Sequence, residues 1–324
     1  MTAGAVAEVL HVPGLSAYVE GVEAALEEAV GWAGETAVAG AGAETLRSGG
    51  KRLRPMLVYL SAPVGGRGGQ GLVAAGCAVE LVHMATLVHD DQLDAAPLRR
   101  GRPTVWAAHG AAAARATGDY LFARAFAELC ATRDMQAVST LSDACLSLAR
   151  GEILQRAQTG DPATTPEEYL ERCRLKTGRL FAAAAMLGAR FGGLPDLDVS
   201  RLGEFATALG LAFQIADDIL DCDGRPDTTG KPLGTDLLDG TITLPLILGA
   251  RRDPAVAGVI ARGAAREDVL PTLARVARAG AVRDARVEAE RHADEALAHL
   301  AALDGGLDTA ALAVVVRGAV DRDS

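Results

Sequence analysis

The sequence predicts an all-α protein, and three observations carry that reading. Aromatic residues are only 4% of the 324 residues, and alanine recurs throughout. This composition favours closely packed helices over a β-sandwich. Apolar and charged residues repeat at helical spacing over long stretches. Two of those stretches each carry Asp-Asp-x-x-Asp: Asp90, Asp91 and Asp94, then Asp217, Asp218 and Asp221. The first and third aspartates of each motif share a helix face one turn apart. A hydrophobic content of 49% can fill a substantial core. No linker and no repeat of solenoid period is visible, so residues 1–324 are expected to form a single domain.

Composition also excludes classes of function. A net charge of −10 argues against a nucleic-acid partner bound through a basic surface. The five cysteines, Cys77, Cys130, Cys145, Cys173 and Cys222, are odd in number, widely spaced and without Cys-x-x-Cys. They read as small core residues in a reducing compartment, not as disulfides or a zinc site. The N-terminus lacks the basic and long apolar regions of a signal peptide, which together with the cysteines predicts a cytoplasmic protein. No run of about 18 consecutive apolar residues is present, so no membrane span is expected.

In chain order, Ser16 to Ala39 reads as a first amphipathic helix. Ser48-Gly-Gly-Lys-Arg-Leu-Arg-Pro55 then places two glycines and Lys51, Arg52 and Arg54 at a helix start. Cations beside free helical N–H groups make an anion site. The alternative, a basic surface turn, is weakened by the glycines and by the acidity of the whole chain. Pro63 to Gln70 is a Gly-rich loop, and from Gly71 a long helix runs into the first aspartate cluster. His83 lies two turns before Asp90 on the same face, either as a core histidine or as a ligand contact. Arg99, Arg100 and Arg102 follow, adding anion-binding charge near that cluster.

Thr104 to Gln158 reads as helices broken at Gly110 and at 132–134. Thr165-Pro-Glu-Glu168 is a capping box with proline at the first helical position. It opens a helix that reaches Lys176-Thr177-Gly178, either a phosphate contact or a polar break where glycine permits a kink. Val199 to Leu220 is a further helix, bearing Gln214 and the second cluster. Residues 223–241 are rich in turn formers, include Lys231, and suit either a flexible lid or a plain surface loop. From Leu244 the chain is helical again, with exposed charged faces, Arg283 to Leu303 above all.

Like charges one turn apart destabilise a helix by about 0.2–0.5 kcal/mol per pair, and more beside an apolar core. Two such clusters therefore point to carboxylates gathered around hard cations, and oxygen ligands favour Mg²⁺ over zinc. Carboxylates repel a diphosphate, but Mg²⁺ between them reverses that. A separate basic site suggests a second diphosphate that is bound and not cleaved. An Ala/Leu/Val-lined interior implies a hydrocarbon remainder on the substrate.

These motifs strongly resemble the trans (E)-isoprenyl diphosphate synthases, the polyprenyl synthetase family. The resemblance rests on Gly49-Gly-Lys-Arg-Leu-Arg-Pro55, His89-Asp-Asp-Gln-Leu-Asp94 with its trailing Arg99-Arg100-Gly101, Lys176-Thr-Gly178 and Phe213-Gln-Ile-Ala-Asp-Asp-Ile-Leu-Asp221. It implies an all-α bundle around a deep central cavity, usually dimeric. It implies that the six aspartates hold three Mg²⁺ on an allylic diphosphate, with Lys176 and Lys231 joining Asp90, Asp91, Asp94, Asp217 and Asp218 as catalytic groups. Arg99, Lys176, Thr177, Gln214 and Lys231 would contact the allylic diphosphate, and Lys51, Arg54, His83 and Arg100 would hold isopentenyl diphosphate. The sequence departs from the family at Asp239-Gly240-Thr241, where Glu-Gly-Lys is common, which removes one diphosphate contact.

Three rivals are weaker. A class I terpene cyclase would not need a second Asp-Asp-x-x-Asp with Lys51 and Arg54. An HD-type phosphohydrolase leaves the second cluster unexplained, and a non-catalytic subunit of a heteromeric synthase would have lost aspartates. Product length is expected from Ala85 and Thr86, one turn below the first cluster, and Leu81 and Val82 below them. None is a bulky aromatic, which in this family resembles synthases of medium to long products, C30 or beyond. The alternative is a short-chain farnesyl or geranylgeranyl diphosphate synthase whose floor comes from Phe122, Phe126 or Met186 on facing helices.

Overall fold

The computed structural model describes residues 3–31, 34, 36–223, 233–303 and 306–321. It is built from helices: α1 (Ala3–Leu10), α2 (Leu15–Gly31), α3 (Ala37–Arg47), α4 (Leu53–Leu60), α5 (Gln70–Leu93), α6 (Val105–Ala131), α7 (Met135–Gln158), α8 (Pro166–Cys173), α9 (Arg179–Phe191) and α10 (Asp196–Asp223). A short helix, Thr235–Asp239, and five more from Leu244 to Val320 complete the described chain. The first helix expected over 16–39 is two. Gly34 adopts φ +68° and the Thr36 side chain accepts from Ala39 N–H at 3.2 Å, starting a new helix at Ala37. Alanine and glutamate continue on both sides, so periodicity alone hides the break.

Most of the expected breaks up to α8 hold, whereas in the segment expected as a lid or loop, 223–241, the described part contains the helix Thr235–Asp239 and residues 224–232 lie outside the described residues. The Thr104 hydroxyl caps α6 by accepting from Ala107 N–H, and Gly110 kinks that helix at φ 83°. Asp134 caps α7 through Gln136 and Ala137 N–H, and Thr165 and Glu168 close the capping box of α8. The only strands among the described residues, Leu98–Arg99 and Arg102–Pro103, form a hairpin on the Arg-Arg-Gly motif. Arg100 and Gly101 both take positive φ, 53° and 74°, as a two-residue turn matched to strand twist requires.

Helix α9 packs against α4, α5, α7 and α10. Two contacts, one of α9 and one of the residue just before it, are backbone to backbone. A Cβ on Gly188 would lie 1.9 Å from the Val58 carbonyl oxygen of α4, and one on Gly210 of α10 would lie 2.8 Å from Gly178 Cα. Any side chain there would force the helices apart. The main core holds the apolar faces of α2, α4, α5, α6, α9 and α10, and a second cluster gathers α8, the C-terminal half of α10 and the helices from Leu244 to Ala301. By length and composition alone the Gly71–Leu93 stretch could cross a membrane, its most apolar window having a mean hydropathy of 1.8. Its apolar window is 67% buried in the fold, as a core helix is. Of the cysteines, Cys77, Cys173 and Cys222 are buried, whereas Cys130 is exposed, so it is not the core residue its type suggests.

Candidate active site

The two aspartate clusters sit on α5 and α10, and the segment between α8 and α9 joins them. Residues 174–178 form a single π-helical turn, a geometry that concentrates at functional sites. Its consecutive residues reach opposite clusters. Lys176 Nζ stands 3.5 Å from Asp90, and the Thr177 hydroxyl donates to Gln214 Oε1 at 2.7 Å. Gln214 Nε2 in turn donates to Asp218 Oδ1 at 2.8 Å. A continuous polar path, Asp90 to Lys176–Thr177 to Gln214 to Asp218, therefore spans both motifs.

Helix α7 adds residues that the sequence reading did not single out. Glu152 accepts from Lys176 at 2.6 Å and from Arg156, which also donates to Asp94 at 2.8 Å. Gln155 accepts from Lys176 at 3.3 Å. Gly151 permits this approach, since a Cβ there would lie 2.8 Å from Lys176 N. Burial opposes the charge on Lys176, but Asp90 and Glu152 outweigh it and raise its pKa. Burial raises the Asp90 pKa, with Lys176 opposing it and Glu152 and Asp94 adding to it. The signal for these groups was the polar set Glu152, Gln155 and Arg156 at i, i+3 and i+4 on an otherwise mixed helix.

In the first cluster, Asp91 is buried, its Oδ1 accepts from Arg99 Nε at 2.8 Å, and Arg99 Nη2 pairs with it at 2.8 Å. Arg99 thus faces a carboxylate in this arrangement. In the second, Asp217 is exposed and Asp218 is 5% exposed. Tyr169 donates to Asp218 Oδ2 at 2.6 Å. Burial pushes the Asp218 carboxyl up to about 7, against the pull of the Tyr169 and Gln214 hydrogen bonds. The Asp221 carboxylate accepts from the backbone N–H groups of Thr235 and Asp236 at 3.0 and 3.1 Å, so it also caps the helix Thr235–Asp239. Lys231 lies outside the described residues.

Folded Asp218 holds its proton to higher pH than the unfolded carboxyl does, so it subtracts stability as pH rises from about 4 to 7. Asp218→Asn should therefore gain more stability over the wild type at pH 8 than at pH 5. Urea midpoints without metal check this, and an equal gain at both pH values would contradict it.

A second cationic group lies at the start of α4. Arg52 caps the helix in the left-handed region at φ 48° and is neutralised by Glu23 and the buried Glu80. It is a structural ion pair. Arg54 stacks 4.8 Å over the Phe181 ring, and its buried Nε has no hydrogen-bond partner. Burial lowers its pKa to about 10, with Glu80 opposing. A Cβ on Gly50 would meet Arg52 Nη1 at 2.9 Å and Arg100 Nη1 at 3.3 Å, so the hairpin brings Arg100 into the same group. Burial, then the charges of Arg54, Arg100, Arg99 and Arg52, hold His83 well below its ordinary value. A neutral histidine amid arginines, beside an unsatisfied guanidinium, fits a bound anion. Lys51 is exposed in the same turn.

The oxygen donors of the aspartates suit a hard divalent cation. Among the described residues, no three such side chains are gathered closely enough to hold one as they stand. Asp90, Asp91 and Asp94 instead face Lys176, Arg99 and Arg156. Of the residues expected to set product length, Ala85, Leu81 and Val82 have no exposed surface at all. In this arrangement they are packed into the core. Thr86 retains exposed surface, its hydroxyl donating to the His83 carbonyl at 2.8 Å. On the facing side, Phe122 lies 5.8 Å from the His89 ring, and Met186 packs on Gly203.

The family profile described as Polyprenyl synthetase matches residues 35–273. The chain is 39% identical over 297 residues to heptaprenyl diphosphate synthase component 2 of Geobacillus stearothermophilus, covering 90% of this chain and 89% of that one. It is 35% identical to octaprenyl diphosphate synthase of Escherichia coli over 85% of this chain and 87% of the relative. A crystal structure of polyprenyl synthase from Caulobacter crescentus, complexed with calcium and isoprenyl diphosphate, superposes with a TM-score of 0.92 at 34% identity, covering 98% of each chain. The chain belongs to the polyprenyl synthetase family and is a prenyltransferase.

Proposed function

We propose that the protein condenses isopentenyl diphosphate with an allylic diphosphate to give an (E)-polyprenyl diphosphate of C30 or longer. The observation that carries this reading is the bridge of Lys176 and Thr177 between two aspartate clusters, with a separate arginine–histidine group beside it. Hepta- and octaprenyl diphosphate synthases among the relatives support the product class. Calcium with isoprenyl diphosphate in the Caulobacter enzyme supports a divalent-metal site. Three Mg²⁺ ions held by Asp90, Asp91, Asp94, Asp217, Asp218 and Asp221 would neutralise the allylic diphosphate and stabilise it as a leaving group.

The protein's own residues supply position and charge. Lys176, Thr177, Gln214, Arg99 and Lys231 orient the allylic diphosphate. Arg54, His83, Arg100 and Lys51 hold isopentenyl diphosphate so that its double bond faces the allylic carbon. The proton lost after condensation passes to the released diphosphate, so no protein base is required. The work is done in the cytoplasm by a homodimer. Exposed Met135, Leu146 and Ile153 support a second copy as partner, since their spacing returns them to about one line along α7.

Purified protein alone, given Mg²⁺, labelled isopentenyl diphosphate and farnesyl or geranylgeranyl diphosphate, should yield hexane-extractable label after phosphatase treatment. No such label from folded protein would overturn the proposal. Arg54→Ala should raise KM for isopentenyl diphosphate about 10- to 100-fold, as loss of a charge-assisted contact does, and leave the allylic KM nearly unchanged. If titration found the allylic substrate the more affected, the two anion sites would have to be exchanged.

A further inference from the structure

We infer that Tyr169 is a positioning residue for the second aspartate cluster, holding the Asp218 carboxylate in the orientation that divalent-metal binding requires. The inference rests on the proposed metal-dependent reaction. Tyr169 is fully buried on α8, remote in sequence from both aspartate motifs, and its hydroxyl donates to Asp218 Oδ2 at 2.6 Å. Gln214 donates to the other oxygen, Oδ1, at 2.8 Å and is itself fixed by Thr177. Both carboxylate oxygens are thus anchored by neutral donors. A cationic partner would cancel the charge, whereas a phenol and an amide orient it and leave it negative.

The tyrosine ring is in turn held from behind. The Arg172 guanidinium lies 5.2 Å from the ring centroid. Arg172 is 4% exposed and donates to Gln158 Oε1 at 2.7 Å and to the Ile242 carbonyl at 2.6 Å. Three separated parts of the chain therefore fix the ring, and through it one carboxylate of the cluster. Purely structural packing would need only the ring. The hydroxyl is aimed at a buried acid whose neighbour in the motif, Asp217, is exposed.

Tyr169→Phe keeps the ring and removes the donor. It should lower kcat about 10- to 100-fold and raise the Mg²⁺ concentration for half-maximal activity, as loss of an outer-shell partner of a metal ligand does. KM for isopentenyl diphosphate should not move. The rise in melting temperature produced by Mg²⁺ with inorganic pyrophosphate should shrink. In an Asp218→Asn background the same substitution should add nothing. This melting measurement needs no prenyl transfer, so it judges Tyr169 even if the wild type makes no polyprenyl product. If Tyr169→Phe fails to fold, adding Asp218→Asn should restore folding by removing the stranded charge, and failure of both would overturn the assignment. So would a wild-type Mg²⁺ response in the folded Phe variant, or equal losses in both backgrounds.

Discussion

Alanine at position 217 is expected to lower turnover about 10³-fold, equivalent to ~4 kcal/mol of lost transition-state stabilisation from a metal site. Asp217 is exposed, so the fold does not depend on its burial. Its charge also raises the cost of ionising Asp218 beside it. Removing it should therefore leave the melting temperature without metal unchanged or higher. Asp90→Ala should cost turnover similarly. Lys176 then keeps Glu152 as a partner at 2.6 Å, so no buried ammonium is stranded. Steady-state turnover and melting curves in chelator check both variants. Wild-type turnover in either would remove that aspartate from the metal site.

Thr86→Phe is expected to cut the product from C30 or longer to C20 or shorter. Thr86 alone of the four residues below the first cluster has exposed surface, so an aromatic ring there need not be forced into a filled core. One helical turn rises about 5.4 Å, comparable with one extended isoprene unit, so a ring at that level stops growth early. Ala85→Phe should behave differently. Ala85 is packed on all sides, and forcing a ring into a filled core costs about 1–3 kcal/mol. That variant should melt lower and keep its product length. Mass spectrometry of dephosphorylated products, with melting curves, separates the two. Shortening by Ala85→Phe alone would restore the growth path along Ala85, Val82 and Leu81.

Much of the site was legible in the sequence because its chemistry demands particular residue types at helical spacing. Lys176, Thr177 and Gln214 lie between the two aspartate motifs, and Arg54, His83 and Arg100 gather in a neighbouring cationic group. The partners of Glu152, Arg156 and Tyr169 were not legible, though Glu152 and Arg156 share a helix face. Each is an ordinary helical residue whose partner lies far away in the chain, and only tertiary packing brings them together. Arg52 was indistinguishable from Arg54 in the sequence, and only Glu23 and Glu80 reveal it as a structural pair. The break between α2 and α3 was hidden because alanine is as good a helix former on one side of Gly34 as on the other. Ala85 shows the same limit, since a small residue can line a void or fill a core and the sequence does not say which.

The glycine contacts of α9 bear on how this enzyme type diversifies. Gly188 against the Val58 carbonyl and Gly210 against Gly178 set the spacing of α4, α9 and α10 by main chain alone. The span from Arg54 to Asp217 is therefore insulated from side-chain drift elsewhere, as a jig is from the part it holds. Meanwhile α5 and α6 meet at side chains such as Phe122 and His89, the latter one helical turn from Thr86, which can be exchanged without moving that jig. The proposed chemistry and the proposed control of product length would in this way vary as separate modules. A lineage or a designer can alter the second while leaving the first intact, and the glycines at 188 and 210 are the positions where substitution would end that freedom.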